Sequence, residues 1–220
     1  MIVVAGLLVA ADRLAAWGAG QLVADRLARA YQLGRAPQVQ VQGVPFLTQW
    51  SSGRYQEVDV QLPNITTNNV SVTDLSAQLH AITTRAFATS SADVAGATIG
   101  EVDVQGVVPY AGIPLPPGLR VTPQGNQLQL SGSISAAGAS VPISATVSVG
   151  VQNGRLQLTA DRVNGAVGLR ALAVTAELNQ QLKGASVALQ LPVGARLNAV
   201  SVTADGLDVS ASASQVRMPS

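Results

Sequence analysis

Residues 141–149, VPISATVSV, put Val141, Ile143, Ala145, Val147 and Val149 on one parity and Pro142, Ser144, Thr146 and Ser148 on the other. A repeat of two is the signature of a strand with one buried and one wet face, so this segment demands a sheet with an apolar side to cover. Asn153-Gly154 follows, the strongest short hairpin signal, and Leu156 and Leu158 open the return strand. Pro142, which has no N–H to give to a ladder, marks the start of the first strand as an edge. The same alternation occurs at Val58, Val60 and Leu62 against Glu57, Asp59 and Gln61, and at Val102 and Val104 against Glu101 and Asp103. These segments read as half-buried antiparallel strands, and beyond about Thr89 most of the chain is expected to be strand.

Three stretches carry a helical period instead. Leu14, Trp17, Val23, Leu27 and Tyr31 recur at helical spacings from Asp12 to Gly34, where Gly34 and Pro37 supply a stop. A second pattern opens at Thr73 or Asp74 and runs through Leu75, Leu79, Ile82 and Ala86 to about Thr89. A third covers about Ala171 to Lys183, ahead of strands at Val187 to Leu191 and Asn198 to Ala211, the latter broken by Asp205-Gly206. Helices set among antiparallel strands predict an α+β fold. On the apolar phase of these elements, Trp17, Leu27, Val58, Val60, Val147 and Leu158 are expected to be buried. EVDVQ occurs at 57–61 and 101–105, and LPPGLR at 115–120 is answered by LPVGAR at 191–196. These echoes raise two related halves, the second unit spanning about 107–217.

Residues 2–11, IVVAGLLVAA, are ten apolar residues in a row, the length of a signal-peptide core and half a membrane span. A plain span to Val23 would set Asp12 and Arg13 near the bilayer centre at about 2.5–3.5 kcal/mol each. The expected organisation is a partial signal or anchor segment over 1–11 and a single folded domain over 12–217, the alternative being that the run is a buried helix end.

Charged residues are only 11% of the chain, the net charge is +1 and no basic block occurs, which leaves phosphate-backbone binding without its footprint and excludes nucleic acid as a partner. The absence of cysteine removes disulfides and thiolate chemistry. None of the familiar nucleophile, zinc, phosphate-loop or dinucleotide motifs is present, and His80 is the single histidine. Glu57/Asp59 and Glu101/Asp103 each place two carboxylates on one strand face, with no further oxygen ligands in sequence reach. No catalytic residue, metal ligand or cofactor is therefore expected.

The chain has two Trp, three Tyr and two Phe, yet Phe46, Trp50 and Tyr55 fall within GVPFLTQWSSGRYQEVDVQL, residues 43–62. With the strand continuing into Pro63-Asn64-Ile65, this stretch resembles the signature of the actinobacterial LmeA-like phospholipid-binding family: a Gly-x-Pro-Phe-Leu-Thr run and a Gly-Arg-Tyr-x-x-Val strand after an anchor and a first helix. The Asp12-Arg13-Leu14 junction is similar too, as is the closing LPVGARLNAVSVTADGLDVSASASQV, residues 191–216. The middle departs, because Pro109, Pro114, Pro116 and Pro117 forbid a helix expected there.

The resemblance implies a tubular lipid-binding type of fold, long amphipathic helices cradled by strongly curved antiparallel sheet. It also implies a non-enzymatic phospholipid-binding or lipid-shuttling protein of the cell envelope, outside the cytoplasmic membrane, anchored or secreted, supporting lipoglycan assembly. Its partners would be phospholipid acyl chains, including those of phosphatidylinositol-type lipids, the membrane surface and envelope enzymes. Phe46 and Leu47 are expected to plug the junction of first helix and first strand. Trp50 and Tyr55, rings with one apolar and one polar end, are with the inward Val147 and Leu158 the candidate lipid contacts, the alternative being that Phe46, Trp50 and Tyr55 all lock the fold as core. An ordinary closed core serving a structural or interaction domain would show the same strand pattern.

Overall fold

The computed structural model describes residues 2–30, 34–67, 70–88, 96–113, 115–136, 139–164, 169–184 and 194–218. In chain order these form α1 (Ile2–Ala30), β1 (Gln38–Val41), α2 (Phe46–Ser52), β2 (Arg54–Thr67), β3 (Val70–Thr83), β4 (Thr98–Pro109) and a 3-10 turn at Tyr110–Gly112. There follow β5 (Leu119–Gln124), β6 (Gln127–Ala136), β7 (Ala139–Gln152), β8 (Arg155–Asn164), α3 (Leu169–Gly184), β9 (Arg196–Val202) and β10 (Gly206–Arg217). The fold is α+β with two antiparallel sheets, one ordered β1-β2-β3-β4-β10-β9 and the other β5-β6-β7-β8.

The hairpin read at Asn153-Gly154 joins β7 to β8, with φ of 53° and 70° at the two turn residues, the left-handed pair that such a turn needs. Pro142 lies in β7 where that strand pairs with β6 alone, since pairing with β8 begins at Ser144. The proline-rich window after β4 holds no α-helix among its described residues, and α3 covers the third predicted helix. The strand read at Val187 to Leu191 lies outside the described residues. The LPPGLR and LPVGAR echoes each run into an edge strand, β5 and β9, that hairpins to the next strand in the chain.

Three expectations are corrected. The helix read from Thr73 to Thr89 is strand β3 as far as Thr83. Its apolar face carries Val72, Leu75, Ala77, Leu79 and Ile82, and two interruptions set Val72 and Leu75, and again Leu79 and Ile82, three apart, which gives the row a helical look. Asp74 (φ 50°) sits in a bulge, where β3 has one residue more than β4 between Thr73 and Ser76. At Ala81 (φ 53°) the pleat slips by one residue without any change of register.

That slip is shared. Gln56, Ala81, Gly100 and Gln215 lie side by side on β2, β3, β4 and β10, bracketed by the pairs Tyr55↔Ile82, His80↔Glu101 and Val216↔Ile99. The inward residues on either side are three apart on each strand: Tyr55 and Val58, Leu79 and Ile82, Ile99 and Val102, Ala213 and Val216. Gln215 also has positive φ, at 52°, so a crease crosses four strands.

The second correction is Trp17, which is 67% exposed on α1. The helix buries a stripe of Asp12, Ala16, Gly20 and Ala24, four residues apart, leaving the larger side chains outside. Small residues allow close approach, and a Cβ at Gly20 would overlap the Val39 carbonyl of β1. The third is Leu47, expected to plug the junction of first helix and first strand together with Phe46. Phe46 does so at 4% exposure, whereas Leu47 is 46% exposed. The apolar run does not end where α1 begins, because one helix passes through both. The side chain of Leu27 lies outside the described residues.

The main core gathers Val102, Val104 and Val108 of β4, Leu207 and Val209 of β10, Leu128, Leu130, Val147 and Leu158 of the second sheet, and Leu178 and Leu182 of α3. Asn179 ties α3 to β8: its Oδ1 accepts the Ala160 N–H at 2.8 Å and its Nδ2 donates to the Ala160 carbonyl at 3.3 Å. The side chain thus serves the free edge of the sheet as a strand neighbour would.

Candidate functional site: a half-covered apolar strip beside an aromatic corner

Between the two covered ends of the larger sheet lies its least covered apolar surface. α1 packs on β1 and α2, and the main core covers β4, β10 and β9. On β2 and β3 the inward rows Tyr55/Ile82, Val58/Leu79, Val60/Ala77 and Leu62/Leu75 run between them. All but Leu75 are only partly buried. From Tyr55 to Leu62 the strip is about 23 Å long by strand rise. Val58 and Val60, expected to be buried, have the right face and half the cover.

A groove of about 570 Å³ opens at the Tyr55/Ile82 end, lined by Thr48, Ser52, Arg54, Tyr55, His80 and Ile82 among others. At the other end Leu62 and Leu75 line a second groove of about 350 Å³ with Arg35, Gln38 and Asp74. Each groove also takes in residues of the outward parity, Arg54, His80 and Thr83 at the first and Gln38, Gln61 and Ser76 at the second, so each lies at the sheet's rim where the apolar rows end. Hydrocarbon lies well on the strip, and polar head atoms can be hydrogen-bonded at either mouth.

The GVPFLTQW segment builds the corner above the first groove. Phe46 and Gln49 are its buried residues, and the Phe46 ring centre lies 6.4 Å from that of Tyr55. Burial raises the Tyr55 hydroxyl above its ordinary value, against a hydrogen bond with Thr84 that lowers it. The Trp50 indole donates from Nε1 to the Ala88 carbonyl at 3.2 Å and meets Phe87 edge-on at 5.1 Å, while Phe87 itself is exposed. Gly53, at φ 67°, closes α2, and a Cβ there would run into the backbone at Thr84 and Arg85.

Asp12 fixes the corner from α1. Its Oδ2 accepts the Phe46 N–H at 2.8 Å and its Oδ1 the Leu47 N–H at 2.9 Å, satisfying two free amides at the start of α2. Arg13 donates to Asp12 at 3.0 Å and to the Gly43 carbonyl. Those two backbone bonds, Leu47 first, and then Arg13 hold the Asp12 carboxyl below its ordinary value, outweighing the opposite effect of burial. The junction was visible in the sequence, its capping role was not, since partners 34 residues apart leave no local signal.

Val147 and Leu158 are 0% and 4% exposed in the core, where α3 covers β8. They lie apart from Trp50 and Tyr55, on the other sheet. His80 stands on the outward face of β3 between Glu57 and Asp103, each at 3.9 Å, and no cluster of potential metal ligands occurs among the described residues. Arg54, Arg120 and Arg196, the cations suited to phosphate, sit on β2, β5 and β9, and only Arg54 lines the first groove.

The family model for LmeA-like phospholipid-binding proteins matches residues 10–212. The chain belongs to this family. The match spans Asp12, the GVPF corner, both sheets and α3, so the family's pattern is carried by the whole fold and not by one motif. No curated protein and no solved structure matches the chain.

Proposed function

We propose that this chain is a non-enzymatic phospholipid-binding or lipid-shuttling protein of the bacterial cell envelope, with an acyl chain lying along the β2–β3 strip. The observation that carries the reading is the strip itself: four apolar rows, partly uncovered, with a polar groove at each end. Membership of a phospholipid-binding family supports the ligand class. One leaflet of a bilayer is about 15 Å of hydrocarbon, so a 23 Å strip accommodates a full acyl chain. Ten covered methylenes would contribute on the order of 8 kcal/mol, ample for retention through purification.

In this reading Trp50 and Tyr55 flank the headgroup end, and the crease through Ala81 and Gly100 lets the larger sheet wrap toward α1 as a cradle. Contact of lipid with Val147 and Leu158 would require α3 to lift from β8, and their close packing favours an ordinary closed core in that half. Carriage of lipid for lipoglycan assembly, next to envelope enzymes, is the role that the family resemblance points to.

Native mass spectrometry of protein purified without detergent tests the ligand class. Retained phospholipid is expected, and a mass equal to the bare chain under conditions that preserve the fold would overturn the reading. Alanine at Glu57 and Asp59 should leave lipid retention intact; turnover of a lipid that these changes or His80→Ala abolish would instead show an enzyme.

A further inference from the structure

The outward side of α1 has no partner within the fold. Leu14 and Trp17 are 69% and 67% exposed, and Leu7, Leu8 and Leu22 are exposed beside them. Between residues 2 and 24 the helix has two charged residues, Asp12 and Arg13. Both are used inside the protein: Asp12 caps α2, and Arg13 bonds to Asp12 and to the Gly43 carbonyl. Arg13 keeps 38% of its side chain exposed, and the other exposed polar groups begin only at Gln21, followed by Asp25 and Arg29. The apolar surface continues onto the tip of α2, where Leu47, whose amide Asp12 binds, and Val44 are exposed.

We infer that this surface docks on a phospholipid bilayer, with α1 lying in the interface and its Asp12/Ala16/Gly20/Ala24 stripe held against the protein. The charge cost that disfavours a plain span does not apply to this arrangement, because Asp12 is turned to α2 and the part-exposed Arg13, bonded to Asp12 and Gly43, sits at interface depth and not at the bilayer centre. No helix among the described residues is long and apolar enough to cross a membrane, which agrees with lying along it. Residues 7–20 give about 21 Å of helix, largely apolar on the outside, with polar groups beyond it from Gln21. A lipid interface, which changes from hydrocarbon to headgroup over a few ångströms, matches that gradation; interfacial helices sink about 5–10 Å, and a Trp ring sits well at that depth. A second copy of the chain would have to match a surface that is polar only at one end. The proposal rests on the lipid chemistry of the family but not on the β2–β3 strip.

The full chain carrying Trp50→Phe has Trp17 as its one tryptophan, and its emission reports the surface directly. Vesicles of phosphatidylcholine and phosphatidylglycerol should shift that emission to the blue, and brominated acyl chains should quench it. Adding Leu7→Ser and Leu14→Ser should weaken vesicle partitioning roughly tenfold or more. Circular dichroism and melting should not change, since both side chains are exposed. Lipid retention of the Leu7→Ser/Leu14→Ser protein in native mass spectrometry, with Trp50 kept, should equal that of the parent, which separates docking from the strip. A Trp17 spectrum that stays water-like with vesicles present would overturn the proposal. So would a blue shift that follows protein concentration alone and accompanies a dimer mass, because a second copy would then cover the surface.

Discussion

Asp12 on α1 and Phe46 on α2 are joined by a 2.8 Å bond from the Phe46 amide to the Asp12 carboxylate, across 34 residues of chain. A second bond, from the amide of Leu47, makes the carboxylate the N-terminal cap that Pro45, at the cap position, does not provide from its own side chain. The amino-terminal helix and the most distinctive motif of the sequence are thereby one structural unit.

Asp12→Ala should lower the melting temperature and loosen the Trp50–Phe87 corner, and Asp12→Asn, which keeps one acceptor oxygen, should do so less. The carboxyl is held below its ordinary 3.8 in the fold, so its contribution is present above that value and is lost as pH falls through the lower folded value. Urea midpoints followed down into this acid range should show the wild-type protein losing its advantage over Asp12→Asn.

Gly20→Val should separate α1 from β1, because the first carbon of any side chain there overlaps the Val39 carbonyl. Overpacking of this kind costs about 1–3 kcal/mol. Gly18, whose Cβ would meet nothing within 4 Å, is the control, and Gly18→Ala should be neutral or slightly stabilising in chemical denaturation.

Tryptophan substitutions should separate strip from core. Val147→Trp enlarges a fully buried residue and should destabilise by about 1–3 kcal/mol or more. Leu79→Trp fills a partly open row, so it should cost little stability while lowering the amount of retained phospholipid. Equal destabilisation by both would mean that the strip is closed core.

Asn179→Ala leaves the Ala160 N–H and carbonyl without their side-chain partner. An unsatisfied buried group costs about 1–3 kcal/mol, reduced here because the site is part-buried. Amide exchange at Ala160 should rise well above that at Leu158.

The Asn153-Gly154 hairpin, α3 and the helix-free proline window were readable because local chemistry decides them: Asn-Gly for a left-handed turn, proline for the lack of a donor. β3 was not readable, since a bulge at Asp74 set Val72 and Leu75 three apart and the crease at Ala81 did the same for Leu79 and Ile82, while the regular step of four from Leu75 to Leu79 fits a helix as well as a strand. Trp17 misled for a different reason. The helix approaches β1 through its smallest residues, so its largest side chains do not mark the buried side. Of the candidate lipid contacts, Tyr55 lines the first groove and Trp50 packs on Phe87 instead, while the rows of β2 and β3 could not be found until β3 was known to be a strand.

The central claim is that acyl chain lies on β2 and β3, and a phospholipid bearing a photoactivatable diazirine near the end of its acyl chain tests it most directly. After irradiation and proteolysis, adducts should fall within residues 54–62 and 75–83. Adducts confined to 143–160 would place the chain beneath α3 instead, and a protein that takes up no probe while fully folded would contradict the account.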